Sequence, residues 1–151
     1  MKQQALVVQA VRPANEQLAA ALPEQSHMSA DETPTKQAAV KSWLWTFVTD
    51  RFTVFAVRPS RRNEVAANLL TEDFGGMEPT NNASECSLRH SVICRKLSFG
   101  TQSAGGSRFV ETLLTVIESC RQQGRDVFAW VTAAVQSRFA GQPCPSLLPG
   151  V

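Results

Sequence analysis

The sequence predicts an α/β chain, with a helical start, a small sheet built around a β-hairpin, and helices through the C-terminal half. Three observations carry that prediction. Two runs rich in aromatic and β-branched residues, Trp43 to Thr49 and Phe52 to Val57, are separated only by Asp50-Arg51, which is the composition and spacing of paired strands. Phe109, Leu113, Val116, Ile117 and Cys120 recur at helical spacing, as do Val127, Trp130, Val131, Ala134 and Val135. The opening stretch is dominated by Ala, Leu, Val, Gln and Glu, most of which lose little freedom in a helix.

In chain order, residues 1–22 predict a helix interrupted at Pro13 and ended by Pro23. Glu24–Ala30 leads into a weak strand, and Asp31-Glu32-Thr33-Pro34 predicts a turn or irregular segment. The hairpin follows. Trp43, Trp45 and Phe47 alternate with Leu44 and Val48, so both faces are apolar and a sheet covered on both sides is implied. Arg58-Pro59-Ser60 breaks the second strand, and Ser60 is placed to cap a helix reaching about Thr71. Gly75-Gly76 stops it. Asn82-Ala83-Ser84-Glu85 fits a capping box opening a helix to about Lys96. The Gly- and Ser-rich stretch Phe99 to Ser107 predicts a loop, followed by a long amphipathic helix from about Ser107 to Gln123 that Gly124 ends. Asp126 caps a last helix reaching about Phe139, and the two form an αα-hairpin. The proline-rich tail from Gly141 reads as extended.

With 43% hydrophobic and 19% charged residues, the chain has the composition of a globular protein rather than a disordered one. No apolar run approaches the ~18 residues of a membrane span, and the start lacks the apolar core and cleavage site of a secretory signal. Cys86, Cys94, Cys120 and Cys144 fit neither a zinc-ligand spacing nor a small disulfide framework. Free thiols in a cytoplasmic protein are expected. The net charge of +2 hides an asymmetry: residues 1–80 hold eight bases and nine acids, residues 81–151 seven bases and four acids. Between Glu85 and Glu111 there is no acid, while Arg89, Arg95, Lys96 and Arg108 lie there. Such a stretch suits either a solvated helix face or contact with phosphates.

Three constellations are candidates for chemistry. The run Gly100 to Ser107 offers backbone amides ahead of a helix, but no Gly-Lys-Ser/Thr follows as in a Walker loop, and a linker is the better reading. A Ser or Cys nucleophile would need a base, and His27 and His90 leave few options. Asp31 after a strand and Glu85 at a helix start are oxygen ligands of the kind Mg²⁺ takes. Spacing alone leaves Asp31 equally a turn residue and Glu85 a capping partner.

The order of several segments resembles the catalytic domain of insertion-sequence-66-family transposases. These are Asp31-Glu32-Thr33, Lys41 to Val48, Phe52 to Ala56, Ser60-Arg61 and Leu69 to Gly75, then Asn81 to Glu85, Leu88-Arg89, Arg95 to Ser103, Gly106 to Glu111, Cys120 to Gln123 and Pro145 to Pro149. The likeness runs from about Leu22 to Pro149 and is nearer in the second half. It implies an RNase H-like mixed sheet with helices and an Asp–Asp–Glu triad. By that resemblance Asp31 is the first catalytic and metal-binding carboxylate and Glu85 the last, together holding Mg²⁺. Arg89, Arg95, Lys96 and Arg108 meet phosphates of the element-end DNA, positioning it without reading sequence.

The family's second Asp lies on a strand after the Leu69–Gly75 region. Here the four aspartates are Asp31, Asp50, Asp73 and Asp126, none between Asp73 and Glu85. The second ligand, its strand and the following helices read as deleted, as do the family's upstream zinc-binding and helical regions. The expected organisation is an N-terminal helical segment over 1–26, a partial RNase H-like sheet and helix over 27–78, and the C-terminal helical part over 79–151. The resemblance therefore implies an incomplete RNase H-like fold in a transposase-derived protein that lacks strand transfer. The alternative is a non-enzymatic helical module that binds DNA or an intact transposase. With so thin a sheet, the C-terminal helices are expected to pack on the hairpin and leave an exposed apolar edge.

Overall fold

A computed structural model describes residues 2–60, 77–78, 101 and 103–150. Helix α1 spans Lys2–Ala21 and passes into a short 3-10 turn over Leu22–Glu24. Three strands follow, β1 (Met28–Gln37), β2 (Val40–Thr49) and β3 (Thr53–Arg58), then the two-residue β4 (Met77–Glu78). Helices α2 (Ala104–Gln122) and α3 (Val127–Phe139) complete the described elements. The sheet order is β3-β2-β1-β4. The three long strands are antiparallel and β4 runs parallel to β1. The chain is thus α/β with a mixed sheet. The helices predicted over 60–71 and 82–96 lie outside the described residues.

Pro13 does not interrupt α1, which runs through it. Burial on one face outweighs the missing amide: Val11, Ala14, Leu18 and Ala21 all enter the core. Pro23 acts as expected, in the turn that ends the helix.

β1 is the largest departure from the sequence reading, which placed a turn at Asp31–Pro34. The strand runs straight through them, each residue paired with β2. Its sequence, MSADETPTKQ, has little strand propensity. What fixes it is the register of its aromatic and β-branched partner, since β-propensity is largely a matter of fit to a neighbour. The proline is accommodated by the ladder. Gln37 pairs with Val40 across the two-residue turn Ala38-Ala39, so hydrogen-bonded pairs fall at every second residue from Gln37. Pro34 occupies an intervening position, where its nitrogen points away from β2. Both turn residues have positive φ, +48° at Ala38 and +67° at Ala39, the conformation of a type I′ hairpin turn and a strained one for alanine. The turn at Asp50-Arg51 is tied by Thr49, whose amide donates to Phe52 O (2.9 Å) and whose Oγ1 accepts from Phe52 N–H (3.1 Å).

α2 begins at Ala104, not near Ser107. Ser103 caps it, Oγ accepting from Gly106 N–H at 3.1 Å, so the Gly-rich stretch supplies the first helical turn. A Cβ at Gly106 would stand 3.4 Å from Thr101 Cβ, and beside it Ser107 and Thr101 share a 2.6 Å hydrogen bond. Thr101 also exchanges backbone bonds with Lys36 and Ala38, fastening this junction to the β1–β2 turn. Asp126 caps α3 as expected, through Ala129 N–H at 2.7 Å.

One sheet face carries Met28, Trp45, Phe47, Val54 and Ala56 into a core closed by α1, by Val116 and Cys120 of α2, by Trp130 and Ala134 of α3, and by Leu147 of the tail. Trp45 and Phe47 stack at 6.0 Å. Leu44 and Phe55 project from the other face against Leu114. Trp45, Phe47 and Phe55 are thereby buried, and Trp43 half-buried.

The edge of β3 is not an exposed apolar strip. α2 runs beside it, and its side chains take up the strand's outward backbone groups. Ser119 Oγ accepts from Thr53 N–H (3.1 Å) and donates to Thr53 O (2.9 Å). Thr115 Oγ1 accepts from Phe55 N–H (2.9 Å), and Glu111 Oε2 from Val57 N–H (2.7 Å). Four residues of helix advance ~6.0 Å and two of an antiparallel strand ~6.8 Å. Residues 111, 115 and 119 therefore keep step with 57, 55 and 53. Gln122 extends the contact to Thr53 Oγ1 and Thr49 O.

Candidate functional site

Asp31 stands within β1, opposite Thr46 of β2, not at a strand end. The two-residue spacing from Gln37 makes this a hydrogen-bonded pair, so the backbone of Asp31 is turned to β2. The amide of Glu32 then points to the other side of the strand, and Asp31 Oδ1 accepts from it at 2.8 Å. One carboxylate oxygen is thereby engaged by the strand's own backbone.

The same sheet face carries Ser29, Thr33 and Thr46, all buried, beside half-buried Asp31. Thr46 Oγ1 has no hydrogen-bond partner. β4 lies alongside β1, pairing Ser29 with Glu78 in parallel register. A two-residue strand therefore follows Gly75-Gly76, where the sequence reading expected a deleted one. Among the described side chains, Asp31 is the one carboxylate on this face, since Glu32 alternates to the opposite side. No cluster of three or more His, Cys, Asp or Glu suited to a metal occurs among the described residues. Magnesium in phosphoryl transfer takes carboxylates from more than one element. Among the described residues, Asp31 and neutral hydroxyls do not by themselves make that donor set.

Glu85, Arg89, Arg95 and Lys96 lie outside the described residues. Arg108 is on the first turns of α2, exposed, and contributes with Arg58 to the electrostatics of Glu111. Burial pushes the Glu111 carboxyl above its ordinary value, while the Val57 amide and the two arginines oppose the rise. Arg58 Nη1 stands 3.8 Å from Glu111 Oε2. Burial likewise raises the thiols of Cys120 and Cys144, so neither is an activated nucleophile. Sequence reading missed the Glu111–Thr115–Ser119 row. Its signal is three polar residues at four-residue spacing flanking the apolar stripe of an amphipathic helix.

Residues 3–78 match the family model described as Transposase IS66 family. The match takes in α1, ahead of where the motif resemblance begins, and stops before the second-half motifs. The chain is 29% identical over 86 residues to the uncharacterized protein y4qI of Sinorhizobium fredii (strain NBRC 101917 / NGR234). That alignment covers 57% of this chain and 16% of the relative, so the chain spans about a sixth of its length. No solved structure matches. No helix among the described residues is long and apolar enough to cross a membrane.

Proposed function

The chain belongs to the IS66 family of transposases, and from that premise we propose that it is a transposase-derived protein that does not itself carry out strand transfer. The observation that carries this reading is the donor set around Asp31 among the described residues: one carboxylate with an oxygen committed to the Glu32 amide, beside neutral hydroxyls. The mixed sheet, with Asp31 on the strand flanked by antiparallel β2 and parallel β4, supports an incomplete RNase H-like fold. In it Asp31 is the remnant of the first metal ligand and Glu85 of the last. Magnesium, where bound by an intact site of this kind, polarises the phosphoryl oxygen and activates the attacking oxygen.

What remains is DNA contact. Arg108, with Arg89, Arg95 and Lys96, lies in the stretch without acids between Glu85 and Glu111, suited to phosphates. This second reading, a non-enzymatic DNA-binding module, predicts binding without metal that weakens steeply with salt. A further role, docking onto an intact transposase of the same family, is tested by co-purification with a full-length family member. The decisive experiment for the main reading is cleavage and joining of element-end DNA by the purified protein with Mg²⁺. No product is expected. Product formation abolished by Asp31→Ala would overturn the proposal.

A further inference from the structure

Among the described residues, Phe128 and Phe139 of α3 are 83% and 73% exposed. They are eleven residues apart in sequence, about three helical turns, so they share one face. Thr132 and Val135 lie between them on that face, and Gln136 at its margin. The Thr132 hydroxyl is turned back onto Phe128 O at 2.8 Å, which leaves its methyl group outward. The stripe carries no ionisable side chain. Arg138 sits off its flank, bonded to Gln9 of α1 at 2.7 Å.

We propose that this outer face of α3 is the contact between two copies of the chain, packed as an antiparallel helix pair about a two-fold axis. The arrangement of the stripe selects that occupant. Its bulk is symmetric about the helix midpoint, an aromatic at each end with smaller residues between. Turning a second copy end for end sets Phe128 of one against Phe139 of the other, twice, with Thr132 facing Val135 between them. Aromatic pairs of this kind are favourable beyond the area they bury, and isologous contacts require this self-complementarity. The missing charge spares the two copies like-charge repulsion. It also removes what nucleic acid needs and the basic fringe of a membrane-surface helix. With Phe128 and Phe139 83% and 73% exposed, and about 150–250 Å² for a whole aromatic side chain, four rings and the residues between them bury less than about 1,000 Å², the size of a transient contact. The contact is a weak, concentration-dependent dimer.

Sedimentation equilibrium over a wide range of protein concentration tests this. A reversible monomer–dimer equilibrium is expected, weakened roughly 30-fold or more by Phe128→Ser with Phe139→Ser, the loss of a hot-spot pair. Thr132→Lys, which sets two cations near the axis, weakens it similarly without removing an aromatic, and far-UV circular dichroism checks that both variants keep their helices. Under mild oxidation Thr132→Cys links its copies through residue 132, identified by peptide mass spectrometry, whereas Phe128→Cys, far from the axis, does not self-link. A monomer at all concentrations overturns the proposal. So does a dimer indifferent to these substitutions, equal self-linking at 128 and 132, or Phe128-dependent binding to neutral lipid vesicles without self-association.

Discussion

Replacing Thr115 by valine removes one oxygen and leaves the shape and β-branching of the side chain almost unchanged. Thr115 is 0% exposed and Phe55 2%, so the Phe55 amide, held at 2.9 Å, loses its acceptor where water does not reach. An unsatisfied buried donor costs about 1–3 kcal/mol, while the added methyl offsets about 0.8 kcal/mol. The net loss is therefore about 0.2–2 kcal/mol, centred near ~1, or a fall in Tm of about 2–4 °C for a chain of this size. Urea unfolding followed by fluorescence of the three tryptophans and by far-UV circular dichroism reads it as a lower midpoint at unchanged slope. Thr132→Val, compared at protein concentrations low enough that the chain is a monomer, is the control. That residue is exposed and its hydroxyl is bonded only within its own helix, so its stability stays within about 0.5 kcal/mol of the parent. A Thr115→Val protein as stable as the parent, or more so, would refute the idea that α2 closes the β3 edge by hydrogen bonding.

Ala38→Asn with Ala39→Gly places residues suited to positive φ in a turn now built of two alanines at +48° and +67°. A gain of about 1–2 kcal/mol is expected in the same urea assay. Glu111, whose carboxyl is raised by burial, binds a proton more readily in the folded chain than in the unfolded one. Its contribution to stability is therefore fully present below the ordinary glutamate value and is lost as pH rises through the raised folded value. Measured against Glu111→Gln, which keeps an oxygen for the Val57 amide, the parent should lose relative stability on going from acid to neutral pH. A constant difference between the two would contradict the assignment.

β2 and β3 were legible because they are rich in aromatic and β-branched residues and because the runs from Leu44 to Thr49 and from Thr53 to Ala56 are buried, so composition and environment agree. β1 was not. Ser29-Ala-Asp-Glu-Thr-Pro is turn-like by itself, and only the long register with β2 makes it a strand, a tertiary cause that a local window does not contain. The start of α2 was missed for a related reason. Gly105 and Gly106 oppose a helix locally, yet the Ser103 cap and the close approach of Thr101 settle the backbone there. The inward stripes of α2 and α3 followed from periodicity, and Val116, Cys120, Trp130 and Ala134 all reach the core. Of the candidate site, Asp31 was legible as a residue but not in its setting. Its place inside a strand, with an oxygen held by the next amide, depends on which side of the ladder that amide faces.

The side chains that satisfy Thr53, Phe55 and Val57 come from more than fifty residues further along the chain, as far as Ser119. During synthesis the sheet leaves the ribosome well before its seal, with a row of unpaired backbone groups on a hydrophobic strand, the arrangement most apt to recruit other strands. The part that matches the family model ends at residue 78, so the recognisable portion is the portion that does not finish itself. Stalled or clipped products ending there should aggregate, and the completed chain should owe its solubility to a helix that the family match does not reach.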